Sequence, residues 1–472
     1  MQVATSMEFA GSDLPRRAAP RQFLLVVAVA SLGGTLFGYD TGVIAGALLF
    51  IRDQFALSEF MQGAVVGIAL FGALVGVAIS GTLSDRYGRR LPIALCALFF
   101  ILGSLACAFA PDVVMLMIGR GLIGVGIGIA NSVTPIYLAE ISPPDRRGMI
   151  ISLNSVCIVA GQLASFLLDY WMIDWNHNWR WMLGFGVLPG VLLIMGIALL
   201  PQSPRWLAAK GRLKDAEVVL RRMRNPEGVA AEVELLARDA AQESQASLTD
   251  NHKPMAAEMS WKTMFKPRYR RVLLVGLLLS FYQMATGINA ILYYAPIIFE
   301  KAGANTPALA LLATSALGLV NTIFTLVAMQ LVDRVGRRAL LLAGLGGVIA
   351  TLAILTGGIL LGLSSIWFAT LCLCGFIACF ALSLGTVYYV VVGEMFPQEI
   401  RSHAMGLSTG MVCVTNLLVT IAFPVANAAW GNAGSFAFFA VIAATAFLFI
   451  LRALPETKGR DLGEMRTLFG IH

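Results

Sequence analysis

Twelve apolar runs of roughly 18 to 25 residues punctuate this sequence, each long enough to cross a hydrocarbon core about 30 Å thick as a helix. In lipid, a spanning segment of that length must satisfy its backbone hydrogen bonds internally, which a helix does. The runs fall near 22–50, 60–83, 91–109, 113–139, 149–172, 180–200, 271–298, 306–332, 339–362, 366–392, 402–428 and 433–454. Composition agrees: 58% of the 472 residues are hydrophobic and only 13% are charged. That is about half the charged share of a soluble domain. The class is therefore all-α integral membrane.

Basic residues orient the chain. Every Lys and Arg falls in the two tails or in alternate connections beginning after the second span, except Arg52, Arg180, Lys301 and the in-span Arg120. The positive-inside rule then predicts that both termini are cytoplasmic. The same bias accounts for the +7 net charge, so no nucleic-acid partner is implied. Residues 1–21 are polar, carry Arg16, Arg17 and Arg21, and lead into a run too long for a secretion signal, so the first span is expected to stay in the membrane. All seven Cys lie inside predicted spans, and the four His are scattered. No metal or cofactor site is expected, and no nucleophile or phosphate loop suggests an enzyme.

The spans divide six and six around a polar stretch. The expected boundaries are a tail (1–21), a six-helix bundle (22–200), a linker with short helices at Leu213–Arg224 and Gly228–Ser244 (201–270), a second six-helix bundle (271–454) and a tail (455–472). An internal repeat supports the division. Asp85-Arg86-Tyr87-Gly88-Arg89-Arg90 follows the second span and returns as Asp333-Arg334-Val335-Gly336-Arg337-Arg338 after the eighth. Glu140 and Arg147, after the fourth span, return as Glu394 and Arg401 after the tenth. Two patterns in register across both halves indicate duplication, the architecture of membrane proteins that rock two bundles about a central site. Small residues also recur at helical spacing: Gly34, Gly38, Gly42 and Gly46 in the first span, and Gly124 and Gly128 after Arg120 in the fourth. Close helix packing explains such a stripe, and sliding surfaces between moving helices are compatible with it.

At this point the sequence resembles the sugar porter family of the major facilitator superfamily. The matching motifs are the two Asp-Arg-x-Gly-Arg-Arg loops, Arg120-Gly-Leu-Ile-Gly124, Pro135-Ile-Tyr137-Leu-Ala-Glu140, Pro201-Gln202-Ser203-Pro204-Arg205, Gln283 with Gly287-Ile288-Asn289 and Tyr293-Tyr294, and Pro455-Glu456-Thr457-Lys458-Gly459-Arg460. The resemblance implies twelve helices, alternating access, a monomer in the plasma (inner) membrane, and a monosaccharide or related polyol as cargo. It also implies a cytoplasmic closing network drawn from Asp85, Arg89, Glu140, Arg147, Asp333, Arg337, Glu394, Arg401 and Glu456. Gln202 stands where the family usually has Glu, which predicts a weaker lock in the first half.

Polar side chains inside spans need partners, and amides and aromatics suit a sugar's hydroxyls and C–H face. Gln162, Gln283, Asn289, Tyr294, Asn321 and Tyr389 are the candidates, joined by Phe37 from the first-span motif. Gln283 and Tyr294 are eleven residues apart, about 20° off one helical face, and so are expected to share a cavity. Asn289 is about 240° away from Gln283 and reaches that cavity only if the helix unwinds, for which Thr286-Gly287 is the place. Met284, Tyr389 and Val412-Cys413 depart from the family pattern. A hexose, a pentose or a cyclitol such as myo-inositol all remain open.

Asp40 in the first span must find a cation or take up a proton, and Arg120 is the only base away from the ends of a predicted span. A static pair is one reading. In the other, protonation of Asp40 releases Arg120 and couples proton entry to sugar import, since proton-coupled porters carry an acid at the matching position. Facilitated uniport and a membrane sugar sensor are the rival readings. Asp40 argues against the first and the short tails against the second.

Overall fold

The computed structural model describes residues 21–143, 147–223, 229–230, 232–238, 264–363, 365–397, 400–456 and 458. The expected tails and much of the expected helix 228–244 fall outside these, as do the side chains of Arg147 and Asp333. Among the described residues, eleven helical stretches are long and apolar enough to cross a membrane.

The first five spans are α1 (Arg21–Gln54), α2 (Glu59–Tyr87), α3 (Arg90–Ala108), α4 (Val113–Ile141) and α5 (Arg147–Trp171). Their starts follow local chemistry: Ser58 caps α2 by accepting from Met61 N–H, and Asp112 caps α4 by accepting from Met115 N–H at 2.8 Å. The sixth span is α6 (Asn178–Gly184) with α7 (Val187–Ile197). After it come α8 (Pro204–Ala209), capped by Ser203, and α9 (Leu213–Met223), where the linker helix was expected. Ala216, Leu220 and Met223 give α9 a buried stripe, and α9 packs on α8 and α1, so this part of the linker lies against the first half.

The seventh span is broken into α10 (Pro267–Ala285) and α11 (Ile288–Lys301). The eighth is α12 (Pro307–Val335) and the ninth α13 (Arg337–Leu360). The tenth is α14 (Ile366–Phe380), a π-turn at Ala381–Gly385, and α15 (Val387–Met395). The last two spans are continuous in hydrogen bonding as α16 (Arg401–Ala453), but Gly431 has φ 69° and ψ 178°, which no helix contains. The rings of Phe423 and Phe439 stack with centroids 5.9 Å apart, where a straight helix would hold sixteen residues about 24 Å apart. The chain therefore doubles back at Gly431, and the twelfth span is recovered.

Within the first half the glycine stripes face their own neighbours. A Cβ on Gly38, Gly42 or Gly46 of α1 would strike Ile158, Ser165 or Asp169 of α5, and one on Gly124 or Gly128 of α4 would strike Ala69 or Ala73 of α2. These surfaces bind helices inside one bundle, so close packing accounts for them.

The halves meet along α1 with α11, α2 with α16 and α5 with α12. Arg52 at the end of α1 pairs with Glu300 at the end of α11 at 2.6 Å, and Gly63 of α2 abuts the Ile421 carbonyl. These contacts lie toward the face opposite the two repeated basic loops. Deeper, Thr322 of α12 donates to the Val159 carbonyl of α5 at 3.3 Å.

Candidate functional site

Asp40 and Arg120 face each other across α1 and α4 and form an ion pair, Arg120 donating through Nη1. Both are buried, at 5% and 1% exposure, so the pairing expected from sequence is the one present. Tyr293 of α11, which the candidate list passed over, comes from the other half to interact with Thr41 beside Asp40 and with Asn416 of α16. Tyr293 thus places the second bundle beside the ion pair's surroundings. The Tyr-Tyr motif marked this residue, but on a regular helix Tyr294 was the one in register with Gln283.

The amides Gln162 of α5 and Asn321 of α12 meet directly between the halves, Asn321 Nδ2 donating to Gln162 Oε1 at 3.1 Å. Phe37 is half-buried against the core one turn before Asp40. Gln283 is buried beside the Tyr389 hydroxyl, and its Oε1 has no hydrogen-bond partner. Tyr389 itself is 61% exposed, stacks edge-on against Tyr388 with centroids 4.9 Å apart, and lies near Cys413. Tyr388 is held by Ser280 at 2.8 Å.

The break at Thr286-Gly287 is where the sequence placed it. Gly287 has φ 87°, in the left-handed region, and a Cβ there would lie 2.5 Å from the Phe439 ring. The break brings Asn289 back toward Met284, whose Sδ accepts from Asn289 Nδ2 at 3.5 Å. It also undoes the eleven-residue argument for Tyr294, because the phase of a helix is lost across an αL residue. Tyr294 is buried, donates to the Thr420 carbonyl at 3.0 Å and lies against the Phe423 ring, so its hydroxyl is committed to α16.

The charged network resolves into two equivalent clusters, each within one half. Arg89 reaches Glu140 through Nε at 3.1 Å and Nη2 at 2.9 Å, and donates to the Ser84 carbonyl. Arg337 reaches Glu394 at 2.8 Å and donates to the Val332 carbonyl, five residues back in both cases. Asp85 is peripheral, 3.8 Å from Arg89. Arg401 donates to the Phe396 carbonyl at 3.2 Å. Glu456 caps α13 by accepting from the Arg337 and Arg338 N–H groups at 2.9 and 3.0 Å. The corresponding place at the start of α3 holds Gln202, whose Nε2 donates back to the Tyr87 carbonyl at 3.2 Å while its Oε1 has no partner. The duplicated caps thus differ by one carboxylate.

One buried acid escaped the sequence reading. Asp169 of α5 is fully buried against Gly46, and neither carboxylate oxygen has a hydrogen-bond partner. Its signal was present, since it lies inside the predicted fifth span.

Comparison with known proteins gives the family. Residues 26–469 match the family described as Sugar (and other) transporter. The chain is 38% identical to the probable metabolite transport protein CsbC of Bacillus subtilis (strain 168), covering 92% of each chain. It is 36% identical to the major myo-inositol transporter IolT of the same organism, covering 94% and 93%, and 37% identical to the galactose-proton symporter of Escherichia coli (strain K12), covering 91% and 90%. Among solved structures, the inward open conformation of the xylose transporter XylE from E. coli superposes with a TM-score of 0.80 at 28% identity, covering 94% and 99%. A match over nearly the whole length, in sequence and in fold, makes this chain a member of the sugar transporter family.

Proposed function

We propose that the protein is a secondary active transporter that imports a monosaccharide, a hexose or pentose, together with a proton by alternating access. The observation that carries this reading is the buried Asp40–Arg120 pair placed beside a polar seam shared by both halves, with Gln162 facing Asn321 and Tyr293 reaching Thr41. A proton on Asp40 removes the charge that holds Arg120, and the released guanidinium must be re-solvated or re-paired, which favours a different arrangement of the bundles. Each proton moving inward gains about 2.3 kcal/mol per 100 mV, enough to concentrate a neutral solute. Gln162, Gln283, Asn289, Asn321 and Tyr389, with Phe37, supply the sugar contacts, and Tyr294 supports α16 behind them. In this reading the basic loops face the cytoplasm of a plasma membrane, both termini are cytoplasmic, and a monomer suffices.

The contacts named between the halves lie from mid-depth to the opposite face, which supports an inward-facing arrangement. The Arg89–Glu140 and Arg337–Glu394 clusters then brace each half at the cytoplasmic surface, so that the halves close as units.

A cyclitol is the second reading for the cargo, favoured by the second-half departures: Asn289 is engaged by Met284, and Tyr389, with Cys413 near it, lies beside Gln283. Uptake of labelled sugars and cyclitols into proteoliposomes, with and without an inward proton gradient, tests both. Asp40→Asn should abolish accumulation and leave counterflow exchange intact. Uphill uptake that survives this substitution would refute the proton role.

A further inference from the structure

Asp169 has no place in the coupling scheme above, yet it is the most enclosed acid described in the chain. It is 0% exposed, and both of its oxygens are unpartnered. The Gly46 N–H approaches it, but this group lies in the interior of α1, where N–H groups are committed to the helix's own hydrogen bonds. A carboxylate in such a place is expensive unless it is neutralised, and no ion pair to it is found among the described residues.

Two neighbours give this group something to do. Toward the membrane centre, Tyr39 is buried, donates to the Met182 carbonyl at 2.6 Å, directly precedes Asp40, and lies two helical turns (about 10 Å) before Gly46 on the same face of α1. In the other direction, Phe50 follows Gly46 by one helical turn, about 6 Å, and borders a cavity of about 440 Å³. Asp53, Gln54, His177 and Arg180 line that cavity beside Trp179, whose Nε1 donates to Gln54 at 2.7 Å. A polar, open cavity, a buried acid, a hydroxyl and the coupling acid therefore follow one another along α1.

We infer that Asp169 is the proton-entry residue of this transporter, taking protons from the cavity between the end of α1 and the α5–α6 connection and passing them by way of Tyr39 to Asp40. The inference rests on the coupling role proposed for Asp40. A hydronium ion in the cavity gives up the proton that reaches the Asp169 carboxylate, and water is left behind. Asp169 O–H then passes its proton through an intervening water to the Tyr39 oxygen as the phenol leaves the Met182 carbonyl and gives its own proton to Asp40, which lets go of Arg120. Every O–H bond broken is matched by one formed, and the net change is one proton moved from hydronium to Asp40. The path runs inside the first half, separate from the seam where the sugar is held. The titratable and charged groups along it are Tyr39 and Asp40 on α1, Arg120 on α4, and Asp53, His177 and Arg180 at the cavity.

The test compares Asp169→Asn, Tyr39→Phe and Asp40→Asn in proteoliposomes, using the labelled solute that the wild type accumulates. Asp169→Asn and Tyr39→Phe should each slow proton-driven uptake by roughly tenfold or more and flatten its dependence on external pH, with counterflow exchange retained. The infrared band of a protonated buried carboxyl, identified by its shift in heavy water, should disappear in Asp169→Asn. Wild-type uptake with an unchanged pH profile in Asp169→Asn overturns the entry role. So does loss of counterflow in both Asp169→Asn and Tyr39→Phe, which marks a packing role. Accumulation that survives Asp40→Asn sinks the coupling scheme instead, so the two failures are told apart.

Discussion

Arg120 donates to Asp40 through Nη1 and leaves its Nε without a partner, so the guanidinium's compensation in the interior rests on one carboxylate. Removing one member of a buried pair strands the other, at about 3–5 kcal/mol, whereas removing both with shape preserved is nearly neutral. Arg120→Met should therefore lower the thermal unfolding midpoint of the purified protein sharply, and adding Asp40→Asn should restore most of it. Gln202 offers the opposite experiment. In Gln202→Glu a carboxylate would face the start of α3 as Glu456 faces the start of α13, a gain of about 0.3–1 kcal/mol at a helix N-terminus. Spin-label distances across the basic face should shift toward the closed arrangement. An unaltered distribution would show that the missing charge does not weaken the lock.

The helices themselves were legible because hydrophobic length alone specifies a span, and the break at Gly287 was legible because Asn289 had no other way to join Gln283. What periodicity could not deliver was phase beyond that break. Tyr294, expected beside Gln283, instead turns its hydroxyl to the Thr420 carbonyl, because the αL residue Gly287, packed against Phe439 152 residues away, resets the helix phase. Asp169 was missed for a related reason: whether an in-span acid is partnered is decided by tertiary neighbours. The reversal at Gly431 was foreseen as a boundary between runs, though its positive φ was not. Both glycines have backbones that other residues adopt only under strain of about 1–3 kcal/mol. A Cβ on Gly431 meets open space, however, while one on Gly287 meets an aromatic ring. Gly287→Ala should thus destabilise more than Gly431→Ala in chemical unfolding, and should also weaken sugar binding, whereas Gly431→Ala should leave binding unchanged.

Across the whole molecule, the Arg52–Glu300 bridge joins α1 to α11 at the face away from the basic loops. Partly exposed pairs are worth about 0–1 kcal/mol, too little to hold a fold but enough to tilt a balance between two arrangements of the bundles. Arg52→Ala and Glu300→Ala should each raise the outward-open population, seen as faster alkylation of a cysteine introduced at that face. The double variant should add nothing further. The first half itself has almost no slack: its α1 glycines touch α5 directly, and those of α4 touch α2. A bundle with no internal play behaves as a stiff lever, so a displacement at one end reappears at the other instead of dissipating as helix rattle. Enlarging one of these glycines should accordingly show up as poor gearing. Protons would leak through without cargo and less sugar would be moved per proton, even in variants that still fold and still bind.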